Sequence, residues 1–222
     1  MAPPRRSRPA VLAESVADYW NHNTAYHPWV LDIAARHHGD VLDIGCGEGL
    51  LVQRLAAVSH RVVGIDPDAP TVERARRRLH SIGNVSVQHC DFQSFTAPEQ
   101  SFDVITFVAS IHHQPLPPAL AKARRFLKPG GELAVVGLAA NRTIRDWAWT
   151  VLGTPVARVG SHLHRETRDI GVPVAAPQEN LDQIRRIADD VLPNARIHRG
   201  LYYRYRLHWR NETGVAGVRR DR

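Results

Sequence analysis

Two cysteines, one methionine and almost no lysine occur in this chain of 222 residues. Cys46 and Cys90 fall in unrelated segments without a C-x-x-C spacing, which excludes a disulfide framework and a cysteine-built metal site. No apolar run approaches the roughly 20 residues that a bilayer span requires, so no membrane partner is expected. Residues 1–10 are basic and proline-rich but lack the apolar stretch of a secretory signal; they read as a disordered leader, and the chain as cytoplasmic. Metal ligands are also scarce in useful groupings. Among 13 histidines only His162 and His164, with Glu166, form a compact set, and it has no further ligand partner, so no metal is expected.

The formal net charge is +7, and apart from Lys122 and Lys128 every basic side chain except histidine is arginine. Such a charge admits an anionic partner. The cluster Arg74, Arg76, Arg77 and Arg78 nevertheless sits on one expected helix without interleaved aromatics, so base stacking is not signalled. The bias reads as composition and solvated helix faces, and a nucleic-acid partner is not expected.

What is present is an alternation of strands and helices. Short runs of apolar and β-branched residues predict strands over 41–44, 61–65, 85–88, 102–107 and 132–138. Helical spacing predicts helices over 50–56, 71–79, 119–127 and 181–191. The stretch 11–36 has mixed helical character, and 196–209 alternates as two strands of a hairpin around Gly200-Leu201. Strands and helices at this spacing imply βαβ units, hence a doubly wound, Rossmann-like α/β sheet with helices on both faces. Its ligand belongs beyond the carboxyl ends of the strands, where the strand order reverses. The length suits one domain, 1–222: a leader at 1–10, an N-terminal helical lid at 11–38, a core at 39–138, a cap insertion at 139–177 bearing Trp147 and Trp149, a C-terminal helix and strand pair at 178–210, and a tail at 211–222.

The first strand runs into Asp43-Ile44-Gly45-Cys46-Gly47-Glu48-Gly49. Glycines at 45, 47 and 49 let the backbone approach a ligand, while Leu50 stands where a dinucleotide fingerprint has its third glycine. Asp43, inside the strand, would repel a pyrophosphate and suits a ligand ammonium. Asp66 ends the second strand, where a carboxylate accepts from ribose hydroxyls, and Asp91 with Phe92 follows the third, placed for an adenine amino group and ring.

These segments, together with Phe102-Asp103-Val104-Ile105 and Leu127-Lys128-Pro129-Gly130-Gly131, resemble the successive motifs of class I S-adenosylmethionine-dependent methyltransferases over residues 39–138. The flanking Tyr19-Trp20-Asn21-His22-Asn23 and Tyr26-His27-Pro28-Trp29, and the strand from Tyr202 to Trp209, are similar to the small-molecule kind, as in type 11 and type 25 methyltransferase domains. The resemblance implies seven strands, the last antiparallel. It implies S-adenosylmethionine as cofactor and S-adenosylhomocysteine as product, held by Tyr26, Asp43, Gly45, Cys46, Gly47, Gly49, Asp66, Pro67, Asp91, Phe92 and Val108. Cys46 reads as a small apolar filler in that loop.

On the acceptor side, Val108-Ala109-Ser110-Ile111-His112-His113-Gln114-Pro115 replaces the Asn/Asp-Pro-Pro-Tyr tetrapeptide of enzymes that methylate exocyclic base amino groups. His112 and His113 are the candidate catalytic bases; the alternative is that one caps the next helix and the other packs beneath it. Tyr19, Trp20, Tyr26 and His27 either close over the cofactor, Tyr26 nearest, or belong to the core. Transfer from a sulfonium is an in-line displacement that alignment and water exclusion can drive without a dedicated base. The expected function is methyl transfer to an oxygen, nitrogen or carbon of a small organic acceptor, by a monomer or homodimer. An RNA acceptor and a non-catalytic binding module stand as alternatives.

Overall fold

The structure is a computed structural model that describes residues 21–140, 177–200 and 204–212. The leader, Tyr19 and Trp20, most of the expected cap with Trp147, Trp149, His162, His164 and Glu166, and the end of the tail lie outside the described residues.

A 3-10 turn, Thr24–Tyr26, leads into α1 (His27–His37) and β1 (Asp40–Ile44). Then follow α2 (Leu50–Ala56), β2 (Arg61–Asp66), α3 (Ala69–Leu79), β3 (Val85–His89), β4 (Phe102–Val108), a second 3-10 turn (Ile111–His113), α4 (Leu116–Phe126) and β5 (Leu127–Leu138). Past residues 141–176, which lie outside the described residues, come α5 (Leu181–Val191), β6 (Arg196–Arg199) and β7 (Arg204–Arg210). The seven strands form one sheet in the order β3-β2-β1-β4-β5-β7-β6. β1 to β5 pair in parallel, and β7 runs antiparallel to both β5 and β6. The expected hairpin and the expected antiparallel last strand are both present, with β7 inserted between β5 and β6.

Alternation along each central strand explains the layering. Successive side chains point to opposite faces. Leu42, Ile44, Val63, Ile65, Ile105, Phe107, Leu133 and Val135 therefore face one core, filled from α4 and α5 by residues such as Leu120, Ala123, Phe126, Ile184 and Ala188. Val41, Val62, Val104 and Ala134 face the other, filled from α1, α2 and α3 by Val30, Ile33, Leu51, Leu55, Ala75 and Leu79. Both faces are buried, so the central strands read as nearly unbroken apolar runs. Asp43 and Thr106 share the parity of Val41 and Val104 and interrupt that second core at its upper end.

Two boundaries differ from the expectation by three residues or more. Helix α4 begins at Leu116, with Pro117 and Pro118 in its first turn, where a missing N–H leaves no hydrogen bond unmade. Strand β5 begins at Leu127 and not at 132, because Lys128-Pro129-Gly130-Gly131 is a bulge within the strand: the register steps from Phe102 opposite Leu127 to Val104 opposite Glu132. The buried Asn211 holds that bulge, donating from Nδ2 to the carbonyls of Leu127 (2.9 Å) and Lys128 (3.2 Å).

Candidate functional site

The strand order reverses between β1 and β4, and a cavity of about 450 Å³ opens beyond the carboxyl ends of the strands there. Of the residues singled out in the sequence, Asp43, Gly45, Cys46, Gly47, Asp66, Pro67, Asp91, Phe92, Val108 and His113 line it.

The loop after β1 rests on the end of β2, where the Ile65 carbonyl accepts from the N–H groups of Gly45 (2.8 Å) and Cys46 (3.0 Å). Gly47 has φ +54°, and a Cβ there would meet nothing within 4 Å. That open space is a cradle against which a ligand can lie. Gly49, outside the cavity lining, has a different reason to be glycine: it caps α2 at φ +80°, and a Cβ would stand 2.8 Å from Leu79 Cδ1. Cys46 is buried within the second core, as a filler would be, and burial holds its thiol protonated, well above the ordinary range.

Three carboxylates from three successive strand ends surround the cradle. Asp43 is buried, and its Oδ1 accepts from the Thr106 hydroxyl at 2.6 Å. Its Oδ2 has no donor among the described residues. Burial pushes this carboxyl up to about 7; the Thr106 hydrogen bond opposes that rise and the nearby Asp66 charge adds to it. Asp66 ties the loop down: Oδ2 accepts from Gly47 N–H and Oδ1 from Asp68 N–H, each at 2.9 Å. A carboxylate has about four lone-pair sites, so each oxygen keeps one for a ligand hydroxyl. Asp91 accepts from Ser94 at both oxygens, N–H at 2.8 Å and hydroxyl at 2.9 Å, and the Ser94 bonds hold its carboxyl below the ordinary carboxylate range. Phe92 beside it is mostly core, edge-on to Phe107 and Phe126 at 5.5 and 6.3 Å. Its loop is pinned by Lys122, whose Nζ donates to the carbonyls of Phe92 and Gln93, both at 2.7 Å.

On the other side of the cavity the structure brings in residues that sequence reasoning did not single out for the site: Asn21, Asn23 and Thr24 before α1, and Ser110 and Gln114 after β4. The available signal for the first three is Asn-x-Asn-Thr immediately ahead of an apolar helical run, a capping pattern that places their side chains at a helix start. His27 also lines the cavity, its Nδ1 3.1 Å from an Arg54 nitrogen on α2. Tyr26 does not; its hydroxyl packs against Gly200 at the end of β6. Ala109, at φ +55°, turns the chain sharply so that Ser110 donates to the Ile44 carbonyl.

A family model for a methyltransferase domain matches residues 41–131. An uncharacterised methyltransferase of Mycobacterium tuberculosis is 29% identical over 194 residues, covering 86% of this chain and 96% of that one. A ubiquinone biosynthesis O-methyltransferase of Coxiella burnetii is 32% identical over 115 residues, 51% of this chain and 48% of its own. Among solved structures, an N-methyltransferase of Bradyrhizobium japonicum in complex with S-adenosylhomocysteine superposes with a TM-score of 0.60 at 19% identity, covering 86% and 88% of the two chains. These likenesses support a class I S-adenosylmethionine-dependent methyltransferase.

In this methyltransferase the two histidines after β4 differ in position. His113 lines the cavity and is exposed; His112 does not line it, and its ring lies behind that of His113 with centroids 4.3 Å apart. Burial, reinforced by the nearby His113 and Arg204 charges, pushes the His112 imidazole down to about 4, so it is neutral at physiological pH. Its buried Nδ1 has no hydrogen-bond partner among the described residues. The described residues contain no cluster of metal-ligating side chains and no helix long and apolar enough to cross a membrane.

Proposed function

We propose that this methyltransferase transfers the methyl group of S-adenosylmethionine to a small organic acceptor, and that the cavity at the strand ends holds both. The observation that carries the reading is the buried carboxyl of Asp43, which faces an open glycine cradle with one oxygen unspent and its ionisation suppressed. A ligand ammonium beside it would restore the charge. Asp43 and the Gly45–Gly47 backbone would then hold the methionine portion, Asp66 the ribose, and Asp91 with Phe92 the adenine. Pro67 and Val108 complete the walls of that half.

S-adenosylmethionine supplies, when bound, a methyl group on a sulfonium, a good leaving group. The chain supplies alignment and exclusion of water. His113 is the side chain on the acceptor wall able to take a proton from a hydroxyl or amino acceptor, with neutral His112 packed behind it. An acceptor of nucleic-acid size is disfavoured, because four lining residues are aspartates and none is lysine or arginine among the described residues.

Calorimetry tests the reading. Saturable binding of S-adenosylmethionine is expected, weakened about 100-fold in Asp66→Ala, since charge-assisted hydrogen bonds contribute about 1.5–3 kcal/mol each. No binding by the wild-type chain, or an Asp66→Ala variant that binds as well, would overturn it.

A further inference from the structure

We infer that Asn21 and Asn23 form a paired carboxamide site that recognises a carboxylate on the acceptor. The inference rests on the proposed function and narrows the acceptor to one chemical class.

The orientation of both side chains is fixed by what their oxygens do. Asn21 Oδ1 accepts from two backbone N–H groups, Asn23 at 2.9 Å and Thr24 at 3.0 Å. Asn23 Oδ1 accepts from the Arg204 guanidinium, Nε at 2.8 Å and Nη2 at 2.5 Å. Backbone N–H groups and guanidinium nitrogens only donate, so neither amide can be turned the other way round. Both Nδ2 groups are consequently the ends left over, and neither has a partner among the described residues. Both residues line the cavity. The Thr24 hydroxyl between them is already committed, donating to the Asn21 carbonyl (2.9 Å) and accepting from the Asn21 N–H (3.0 Å). This wall therefore offers two N–H₂ donors against, from these three side chains, the one remaining lone pair of the Thr24 hydroxyl.

Position sets the pair toward the acceptor half of the cavity. Asp43, Asp66 and Asp91 stand at the ends of β1, β2 and beyond β3, on one side of the point where the strand order reverses. Asn23 is anchored to Arg204 at the start of β7, which pairs with the end of β5 on the other side. The cavity is thus negative toward β1–β3, with a guanidinium behind the asparagines toward β7. Such a gradient draws a cationic cofactor to one half and an anionic group to the other. Arg204 also polarises the Asn23 amide it holds, which strengthens the Nδ2 donor in a partly buried setting. Two neutral donors on one wall, one of them on an amide held by a cation, suit the two oxygens of a carboxylate; an ammonium or amide N–H there would face more donors than acceptors.

Asn→Asp substitutions isolate this point. A carboxylate oxygen at position 21 would still cap the turn, and one at position 23 would still pair with Arg204. Asn21→Asp and Asn23→Asp therefore preserve the structural bonds and replace each free donor with an acceptor. The probes are hydroxybenzoates, the matching hydroxybenzyl alcohols and the matching hydroxybenzylamines, measured for binding to the wild-type S-adenosylhomocysteine complex by ligand-observed NMR. Carboxylates are expected to bind at least tenfold tighter than their counterparts. The Asn21→Asp/Asn23→Asp double variant is expected to lose that tenfold and to gain for the amines, and Asn23→Ala to lose carboxylate binding without any gain for amines. Alcohols or amines binding as well as carboxylates, no carboxylate binding at millimolar concentration, or undiminished binding by the double variant would each overturn the site while leaving the methyltransferase reading intact. Failure of the wild-type chain to bind S-adenosylmethionine would instead overturn the proposed function and this site with it.

Discussion

The two ends of the sheet carry carboxylates in similar numbers and use them differently. At the amino ends of the strands, Asp103 Oδ2 accepts from Asp40 N–H and from Lys128 Nζ, both at 2.7 Å. Glu132, also buried, accepts from Arg36 (2.9 Å) and pairs with His37 (3.1 Å) and His208. At the carboxyl ends Asp43 keeps one oxygen without a donor among the described residues, and Asp66 spends each oxygen only once. The difference is one of burial and satisfaction together: Asp103 is partly exposed and Glu132 uses both its oxygens within the chain, whereas Asp43 is buried with one oxygen lacking a donor among the described residues. The two lysines obey the same division of labour, Lys128 fastening the amino ends and Lys122 the loop that carries Phe92.

Acidity should separate the two ends most sharply. Asp43 sits at about 7 against an ordinary 3.8, so below pH 7 its proton must leave before it can hold an ammonium. Affinity for S-adenosylmethionine should therefore fall about tenfold per pH unit below pH 7, roughly 100-fold by pH 5, and level off above it. For the ligand-free fold the sign is opposite. A raised carboxyl contributes stability below its unfolded value that is lost as pH rises through about 7. Calorimetry across this range, with Asp43→Asn as control, checks the assignment: the variant should bind weakly with a flat profile, and a wild-type profile equally flat would break the contrast.

Glu132 should respond to acid in the other sense. Burial works to raise its carboxyl, but the hydrogen bonds from His208 and His37 and the Arg36 charge outweigh it and hold the group at about 2 against an ordinary 4.5. Its contribution is present above pH 4.5 and lost as pH falls from there through about 2. Glu132→Ala should cost about 2 kcal/mol of stability, less than a fully buried pair because the Arg36 side chain is 55% exposed. Urea denaturation reads that loss, and the affinity of the folded variant for S-adenosylmethionine should match wild type. A variant of normal stability and weakened binding would reverse the assignment of the two ends.

How much of this is legible in the sequence follows the same line. Strand and helix order can be read because alternating and helical periodicities are local, and the glycine loop with Asp43, Asp66 and Asp91 because each sits at a strand end that periodicity alone locates. The β5 bulge escapes such a reading because Pro129-Gly130-Gly131 signals a turn whether or not pairing continues across it, and pairing depends on the distant Asn211. Tyr26, expected at the cofactor, lies against Gly200, and Asn23, not expected in the site, lines the cavity. Both outcomes depend on the distant β6 and β7 segment, at Gly200 for Tyr26 and, 181 residues from Asn23, at Arg204, contacts no local pattern encodes. The Lys128-Pro129-Gly130-Gly131 motif helps to identify the family, yet it stands at the end of the sheet opposite the cavity, because family motifs preserve the frame as well as the site.

The smallest effects come from two glycines two residues apart, and they draw the boundary between frame and site within a single loop. Both have positive φ, so alanine at either costs about 1 kcal/mol of backbone strain. At Gly49 the new methyl also meets Leu79 at 2.8 Å and Ala75 at 3.2 Å, contacts inside the core between α2 and α3. Gly49→Ala should therefore lose somewhat more stability than the strain alone, with affinity for S-adenosylmethionine nearly unchanged in the folded fraction. At Gly47 the methyl meets no protein atom and projects into the cradle. Gly47→Ala should lose only the strain in stability, and about tenfold in affinity, because the space it fills is the space a ligand needs. Thermal unfolding and calorimetry on the pair separate these outcomes. Equal losses of affinity would show that the whole loop, and not its cavity-facing residue alone, belongs to the site.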